Sequence, residues 1–419
     1  MIPGQPRRRL FPVSTPSPRT PPAASGIPLH RVSTADPAVL FAELRGALAG
    51  IHAVLPYASG TVLPPSLPRT VPAGTAVVVH TSGSTGIPKS VAISAAALRA
   101  SATATADALG GPARWVTALP THLISGIHTL VRSQLAGAEP LILPPGPFDP
   151  AAVAALIRTA PDARLNVSLV PAQLRVILDH ADAVPADLPA LQSFGAILVG
   201  GQGVPHVWRE RAHVLGLPLR RSYGSTETSG GCVYDGVGIG DTRVRIRGGE
   251  VQVSGPTLAE GYLGDPEQTA RHFIRDGDTR WYRTGDAGEL MGGVLSILGR
   301  LDNVIVSGGV NVSLDRVEQV IRGVPGCASA VVLSRPSERW GTVPVLVLPA
   351  GGVVVPGLVP ADAGRAMLET VRVAVVAELG RAAVPAELWR VDEVPLLPGG
   401  KPDRQALRRL LGLGSSHGL

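Results

Sequence analysis

The chain has 419 residues, of which 45% are hydrophobic and 17% charged, with a formal net charge of +6. This length suits two or three domains, and 50 glycines with 40 prolines predict many loops without reaching the share typical of low-complexity disorder. The sequence contains no run of roughly 20 apolar residues, and residues 1–26 lack the apolar segment of a secretory signal. Two cysteines, Cys232 and Cys327, cannot by themselves build a disulfide framework or a zinc site. The composition therefore predicts a globular protein of the cytoplasm without a membrane partner.

The basic residues are distributed unevenly by type. Only Lys89 and Lys401 are lysines among 38 basic residues, and the arginines are scattered rather than interleaved with aromatic residues. That scatter is unlike a nucleic-acid platform, so no nucleic-acid partner is expected. The two lysines are either loop residues without a specific role or residues at sites that need a compact ammonium, which a guanidinium cannot replace.

The predicted elements begin after a Pro-rich extension over residues 1–30, which we expect to be disordered. Apolar residues at helical spacing predict a helix over 36–50. Between residues 76 and 199, short apolar runs alternate with helical patterns, which is typical of an α/β fold with largely parallel strands. The predicted strands are 76–80, 115–119, 141–143, 165–170 and 196–199, and the predicted helices are 95–109, 128–136, 151–158 and 172–180.

Two further regions follow. Residues 243–246, 250–254 and 293–298 alternate with a two-residue period and predict a small antiparallel β-region. After residue 300 an α+β pattern begins, with strands over 304–306, 328–333 and 343–348 and helices over 314–322 and 362–379. We therefore expect a large domain over 31–301 and a small C-terminal domain over 302–419, with no internal repeat.

A Ser/Gly-rich segment with Lys89 follows the first predicted strand of the α/β region. Residues 80–90 read HTSGSTGIPKS, and such a loop can surround a polyphosphate with backbone N–H groups while the lysine adds a positive charge. A Walker A loop needs glycine directly before its lysine, and Pro88 stands there. The bland alternative is a flexible linker, which the position between strand and helix disfavours.

From this point the sequence resembles the adenylate-forming enzymes, the superfamily of acyl-CoA synthetases, adenylation domains and luciferases. Residues 81–89 are similar to its phosphate-binding signature. The other matching motifs follow in the family order: YGSTE at 223–227, GY at 261–262 with Thr269, YRTGD at 282–286, GRLD at 299–302 with SGG at 307–309, and PGGK at 398–401. The resemblance implies a large N-terminal domain of α/β layers with a small β-region, followed by a small mobile α+β domain.

The resemblance also implies roles for individual residues, and physical chemistry agrees with them. Adenylation brings a carboxylate to the α-phosphorus of ATP, so the site must neutralise and align two anions. Lys401, Thr226 and Glu227 are the implied catalytic residues, and the Glu227 carboxylate is a hard oxygen ligand suited to Mg²⁺. The residues implied in ATP binding are Thr81, Ser82, Gly83, Ser84, Thr85, Gly86, Lys89, Gly201, Gln202, Ser222, Tyr223, Gly224, Asp286 and Arg300.

The family resemblance further implies a moving C-terminal domain. Lys401 would enter the site for adenylation only, after which the small domain turns about a hinge at Asp302 and admits the thiol of CoA. Ser307, Gly308 and Gly309 would then contact CoA. A long flexible ammonium suits a group that must enter and leave.

The segments 118–127 and 222–236 resemble the compact o-succinylbenzoate–CoA ligases of menaquinone biosynthesis. That resemblance places His122 as a gate beside the acyl pocket, with Ser125 and Gly126 lining it. The second carboxylate of such a substrate needs a donor, for which Arg132 is our candidate; a helix-surface arginine is the alternative.

The expected reaction is ATP-dependent formation of acyl-AMP followed by transfer to CoA, with ATP, Mg²⁺ and CoA required. Two alternatives stay open: another acyl-, aryl- or amino-acid-activating enzyme that loads CoA or a carrier protein, and a non-catalytic nucleotide-binding relative. A homodimer is compatible with the sequence.

Overall fold

The structure is a computed structural model that describes residues 26–61, 63, 67–82, 88–350, 360–397 and 399–413. Most of the predicted disordered extension lies outside the described residues. Its predicted C-terminal boundary, at residue 30, is wrong. Residues 27–30 belong to the strand Ile27–Ser33, which pairs in parallel with Ala53–Tyr57, and Leu29 is buried. The folded part of the chain therefore begins earlier than position 31.

Among the described residues the first sheet has six strands, and one of its inner strands has an apolar centre. In Thr75–Ser82 the four residues from Ala76 to Val79 are fully buried, as expected for a strand covered on both faces. Helix Pro37–Leu48 packs on this sheet and begins at Asp36, whose side chain accepts from the Ala38 N–H. The strand order is Gly261–Tyr262, Pro88–Ser94, Thr75–Ser82, Ala53–Tyr57, Ile27–Ser33 and Thr70–Val71.

The second sheet has seven strands and confirms the predicted α/β alternation. Its central strands run in parallel, and the two strands at one end are antiparallel additions. The strand order is Val237–Gly238, Gly230–Tyr234, Leu219–Ser225, Ala196–Val199, Leu165–Leu169, Arg114–Thr117 and Leu141–Ile142. The helices of this part of the chain are Ala95–Ala108, Ile124–Leu135, Pro150–Arg158, Pro171–Ala183, Leu188–Gln192 and His206–Val214, with 3₁₀ turns at Pro185–Asp187 and Thr226–Thr228.

The third sheet is the predicted antiparallel β-region. Its order is Arg243–Arg247, Glu250–Ser254, Thr279–Met291 and Phe273–Asp276, with Val294–Arg300 also paired to the long strand. A short helix, Pro266–His272, precedes it. The pairing sets Asp286 directly opposite Arg300, which matters for the site.

The C-terminal part is α+β, as predicted. Its sheet has the order Val310–Ser313, Val304–Ser307, Gly341–Pro349 and Val331–Ser337, with Glu387–Val391 on the other side of Gly341–Pro349. Helices Leu314–Arg322, Pro360–Leu379 and Arg404–Leu410 accompany it, with a 3₁₀ turn at Arg381–Ala383. The strand predicted over 328–333 begins later, because Ala330 donates to the Cys327 carbonyl in a turn. The boundary between residues 301 and 302 stays a prediction.

Within the described ranges, no helix combines the length and apolar character that a membrane span requires.

Candidate active site

Asp286 is the centre of a preformed acceptor site on the large domain. The Tyr223 hydroxyl donates to Oδ2 at 2.6 Å, and Arg300 Nη1 donates to Oδ1 at 3.2 Å. The backbone N–H of Asp286 donates to Thr284 Oγ1, which fixes the backbone of Asp286 to a buried threonine. Burial raises the pKa of Asp286, and the Tyr223 and Arg300 contacts oppose that rise. A fixed carboxylate of this kind is suited to accept hydrogen bonds from a pair of hydroxyls.

Arg300 links that carboxylate to the predicted hinge. Its Nε and Nη2 donate to the two oxygens of Asp302, each at 3.0 Å, and Nη1 also donates to the Thr284 carbonyl at 2.9 Å. The pair with Asp302 is the main cause that raises the pKa of Arg300. Gly285 has φ +71°, and a Cβ there would lie 2.9 Å from Arg300 Nη2. The turn therefore needs glycine both for its backbone and for the space that the guanidinium occupies.

A second acidic group, Glu227, lies on the 3₁₀ turn after the strand Leu219–Ser225. The Tyr262 hydroxyl donates to its Oε1 at 2.9 Å. Tyr262 comes from the edge strand that pairs with Pro88–Ser94, and Lys89 Nζ lies 5.3 Å from the centroid of the Tyr262 ring. Sheet pairing thus brings Lys89 towards Glu227 although the two are far apart in sequence.

Ser222 and Gly224 occupy tightly packed backbone positions beside this turn. A Cβ at Gly224 would lie 2.1 Å from the Gly230 carbonyl oxygen, and one at Gly231 would lie 2.1 Å from Ser222 Oγ. These contacts explain why small residues stand here. ATP contacts by Ser222 and Gly224 stay predictions.

The phosphate segment is described only at its two ends. Thr81 is the penultimate residue of the strand Thr75–Ser82 and is paired with Lys89 of the returning strand. Gly83, Ser84, Thr85 and Gly86 lie outside the described residues, as does the side chain of Ser82. Their ATP-binding roles stay predictions.

Lys401 reaches the same site from the C-terminal domain. Its loop is a tight turn in which Gly400 N donates to the Leu397 carbonyl and Leu397 N donates to the Lys401 carbonyl, both at 2.8 Å. A Cβ at Gly201 would lie 3.8 Å from Lys401 Cε. Part of the Lys401 residue is exposed to solvent, but protein atoms around it displace bulk water. This desolvation lowers the pKa of Lys401, and the negative charges of Asp286 and Glu227 oppose that shift. The ammonium is therefore placed in the field of both acidic groups.

Gly201 and Gln202 follow the strand Ala196–Val199 and contact the lysine loop. Gln202 Nε2 donates to the Gly400 carbonyl at 3.5 Å, and Arg322 Nη1 donates to Gln202 Oε1 at 3.4 Å. The structure thus gives Gln202 partners in the C-terminal domain, while the predicted contact of both residues with ATP is not tested.

Arg132 is not the helix-surface arginine of the alternative interpretation. It is 6% exposed, lies 4.6 Å from the Trp115 ring centroid, and donates to the Tyr234 hydroxyl at 3.4 Å. Desolvation lowers the pKa of Arg132. Among the described residues no carboxylate forms an ion pair with it. A buried guanidinium without a carboxylate partner is costly, and the contacts that stabilise it here are the Trp115 ring and the Tyr234 hydroxyl.

The remaining acyl-pocket candidates lie just before and at the start of the same helix, Ile124–Leu135. His122 is partly buried, which lowers its pKa, and Ser125 is partly buried as well. Gly126 is buried, and a Cβ there would lie 2.3 Å from the Pro120 carbonyl oxygen. Close packing therefore accounts for Gly126, and a pocket-lining role for these three residues stays a prediction.

The predicted CoA residues form a hairpin turn between the strands Val304–Ser307 and Val310–Ser313. Ser307 is buried, and Gly308 and Gly309 have φ of +56° and +81°. A Cβ at Gly308 would lie 2.4 Å from the Trp340 ring. A tight two-glycine turn is typical of a two-residue hairpin, and contact with CoA stays a prediction.

A cluster of His30, Glu43 and His52 lies on the first sheet, apart from these groups. His30 Nδ1 and His52 Nε2 are 2.9 and 3.1 Å from the same oxygen of Glu43. The two rings are stacked 4.0 Å apart and nearly parallel, and His52 Nε2 also lies 3.2 Å from the Glu43 carbonyl oxygen. We interpret the cluster as a hydrogen-bonded group that links the strand Ile27–Ser33 to helix Pro37–Leu48.

Two family models match the chain: that for the AMP-binding enzyme over residues 41–263, and that for its C-terminal domain over residues 316–401. The chain belongs to the AMP-binding enzyme family. It is 38% identical over 80% of its length to a Mycobacterium tuberculosis protein named "Probable 2-succinylbenzoate--CoA ligase", of which the match covers 85%. It is also 30% identical to the indoleacetate–CoA ligase of Aromatoleum aromaticum, over 92% of this chain and 81% of that one.

A solved structure agrees with these relatives. The o-succinylbenzoate–CoA synthetase of Bacillus subtilis in complex with an acyl-adenylate intermediate has a TM-score of 0.66 and 25% identity, over 87% of this chain and 76% of that one. The large N-terminal and small C-terminal parts of the fold and the adenylate-forming acid–CoA ligase activity predicted from the motifs are therefore confirmed.

Several supporting residues of this AMP-binding enzyme were not identified from its sequence. Tyr262 is part of a motif, but its hydrogen bond to Glu227 was not predicted. Thr284 is likewise part of a motif, and its hydroxyl accepts from the backbone N–H of Asp286. Asp315 accepts from the Arg300 N–H at 2.7 Å and from Asn303 at 2.7 Å. The motif positions signalled the tyrosine and the threonine, whereas Asp315 carries no local signal.

Proposed function

We propose that this enzyme activates o-succinylbenzoate with ATP and transfers the acyl group to CoA. The observation that carries this choice of acid is the buried guanidinium of Arg132, which has no carboxylate partner among the described residues. The substrate has two carboxylates: one becomes the mixed anhydride, and the other needs a cation. The 2-succinylbenzoate–CoA ligase relative at 38% identity supports the same choice.

In the first step an oxygen of the substrate carboxylate attacks the α-phosphorus of ATP, and the bond to pyrophosphate breaks. Lys401 would neutralise the two anions that approach each other, and the Thr226 hydroxyl would donate to the α-phosphate. Asp286 would hold the ribose hydroxyls, with Arg300 beside it. In the second step the CoA sulfur attacks the acyl carbonyl carbon and AMP leaves.

Magnesium fits the acidic part of the site. The Glu227 carboxylate is a hard oxygen donor, is oriented by the Tyr262 hydroxyl, and lies near enough to Lys401 to affect its pKa. Glu227 would hold the ion, which would neutralise phosphate charge when bound. The cytoplasm contains the ATP and CoA that the proposed reaction consumes, which is compatible with the predicted cytoplasmic localisation. That localisation and a homodimer stay predictions.

Pyrophosphate release over a panel of acids tests the proposal. The panel is o-succinylbenzoate, benzoate, indoleacetate and a medium-chain fatty acid, each with and without CoA. We expect o-succinylbenzoate to have the highest kcat/KM and its product to be the CoA thioester. A preference for indoleacetate would favour the aryl-acid alternative, and release that is independent of CoA followed by transfer to another thiol would favour a carrier protein.

The role of Arg132 has its own variant. Arg132→Met keeps an unbranched, flexible side chain beside Trp115 but removes the guanidinium and its charge. It should raise the KM for o-succinylbenzoate roughly 10- to 100-fold, the loss expected for a charged hydrogen bond, and leave benzoate unaffected. Arg99→Met is the control, since Arg99 is an exposed helix arginine of the large domain. An equal loss for both acids would show that Arg132 serves only the fold.

A further inference from the structure

The loop after the strand Ala196–Val199 has a feature that its predicted role beside ATP does not explain. Gln202 directs the donor and the acceptor of one side-chain amide at two different elements of the C-terminal domain: the Gly400 carbonyl, next to Lys401, and the guanidinium of Arg322. A side-chain amide offers both functions on one planar group, and here each has a partner.

Arg322 is held firmly on its own side. Its Nη2 pairs with Glu318 Oε1 at 2.8 Å, and its Nε donates to the Ala330 carbonyl at 2.9 Å. Glu318 is buried and also pairs with Arg404 at 2.5 Å. Gln202 therefore meets a guanidinium whose position is already determined, rather than a mobile surface arginine.

The same ionic network continues to the hinge. Arg404 lies 3.6 Å from Asp315, whose carboxylate accepts from the Arg300 N–H. Arg300 in turn binds Asp286 and Asp302. Polar contacts therefore connect the Asp286 acceptor site, through the hinge, to helix Leu314–Arg322. Gln202 contacts Arg322 of that helix and also Gly400 of the lysine loop.

The contact with Gln202 gives the loop around Gly400 a directional link to the large domain. Gly400 has φ +74°, and a Cβ there would lie 3.1 Å from Val170, so the loop rests on the large domain by close apolar contact. Such contact fixes distance but not orientation, because dispersion is non-directional. Hydrogen bonds within the loop set its turn, and the hydrogen bond from Gln202 ties the Gly400 carbonyl of that turn, next to Lys401, to the large domain.

We propose that Gln202 is a positioning residue for Lys401: its side-chain amide joins the large domain to Gly400 and Arg322 and holds the lysine loop in the orientation used for adenylation. The inference rests on the role proposed for Lys401 but not on the identity of the acid. It assigns Gln202 no contact with the nucleotide.

Gln202→Leu tests it, because leucine keeps most of the volume and makes neither hydrogen bond. We expect the adenylation rate, measured as pyrophosphate release in a single turnover with o-succinylbenzoate, to fall roughly five- to tenfold, as for the loss of the long hydrogen bonds to the Gly400 carbonyl and from the Arg322 guanidinium. The KM for ATP and the rate of thioester formation from pre-made o-succinylbenzoyl adenylate should not change. Gln192→Leu is the matched control, since Gln192 donates to the Leu215 carbonyl within the large domain.

Gln202→Glu separates the two contacts. A carboxylate keeps the partner Arg322 as an ion pair but has no donor for Gly400, so it should slow adenylation as leucine does. Activity like that of the wild type in this variant would contradict an action through the lysine loop. A raised KM for ATP in Gln202→Leu would place Gln202 on the nucleotide instead, and equal slowing of both half-reactions would make it a structural residue only; either result overturns the proposal.

A distance measurement makes the test independent of any acid. Both native cysteines, Cys232 and Cys327, are buried, so spin labels at Glu210→Cys and Glu338→Cys would report the separation of the domains in the presence of ATP. Gln202→Leu should broaden that distance distribution, whereas Lys401→Ala should not. An unchanged distribution in Gln202→Leu would overturn the proposal even if the enzyme activates a different acid.

Discussion

The large-domain and small-domain halves of the site hold their charged groups in different ways. Asp286 accepts from Tyr223 and Arg300, and Glu227 accepts from Tyr262, so both carboxylates are oriented before any ligand arrives. In the part of the chain that the structure describes, the Lys401 ammonium forms no hydrogen bond or ion pair. It is positioned through the loop that carries it and through the contacts of that loop with the large domain.

The rigid groups of the large domain and the mobile ammonium of the small domain are suited to different tasks, binding and chemistry. Groups that are rigid in the free enzyme bind the ground state and the transition state alike, and they mainly set the affinity for ATP. A cation on a loop of another domain can be matched to charge that develops only in the transition state. Mutations in the two halves should therefore change different kinetic constants.

The largest effect is expected on the small-domain side. Lys401→Ala should slow acyl-adenylate formation roughly 100- to 1,000-fold, the loss typical of a single group that stabilises transition-state charge. Lys401→Arg should restore little, because the bulkier guanidinium cannot place a point charge between carboxylate and phosphate. Pyrophosphate release measures this step. If Lys401→Ala slows thioester formation from pre-made acyl adenylate equally, the lysine is structural and the division between the two halves fails.

The hinge offers the reverse experiment. Asp302→Pro should leave adenylation active and slow thioester formation roughly tenfold or more, because proline fixes φ and restricts rotation of the small domain. Asp302→Ala is the control, since it removes the pair with Arg300 and leaves the backbone free. Transfer to CoA at the wild-type rate in the proline variant would show that the domain does not need to turn there.

On the large-domain side we expect a loss of binding rather than of rate. Asp286→Ala should raise the KM for ATP about tenfold and change kcat little, since ribose contacts persist through the reaction. Initial rates at varied ATP measure both constants. A loss confined to kcat would remove Asp286 from the ribose role and place a transition-state function in the rigid half of the site.

The smallest effect concerns the pH dependence of that binding. Burial raises the pKa of Asp286 and the Tyr223 hydroxyl opposes the rise, so Tyr223→Phe should raise it further. The ionised carboxylate is the form that accepts from hydroxyls, so ATP affinity should begin to fall at a higher pH in the variant as the solution is acidified. At neutral pH the change should be only about threefold. Identical acid limbs in the two proteins would show that the hydroxyl does not act on Asp286.

The local sequence determined much of the fold because several strands and helices have clear patterns of apolar residues. The apolar run over 76–79 predicts a buried strand, helix Leu314–Arg322 matches its prediction residue for residue, and the two-residue alternation over 243–254 predicts the antiparallel region. The boundaries that failed have local causes. The strand Ile27–Ser33 directly follows a Pro-rich segment, so its pattern was assigned to that segment. A turn at Cys327–Ala330 makes the strand Val331–Ser337 begin later than predicted.

What the sequence alone determined is the set of chemical groups: an ordered series of motifs names Asp286, Glu227, Arg300 and Lys401 as site residues, because each lies in a short segment of unusual composition. Only the tertiary structure decided their partners. Sheet register sets Asp286 opposite Arg300, and domain packing brings Gln202 to Gly400 across 198 positions of sequence. Arg132 is equally informative: its helical spacing fits a surface or an interior position, and only packing against Trp115 buries its charge. Pairings between distant segments depend on the whole fold, and no local pattern carries them.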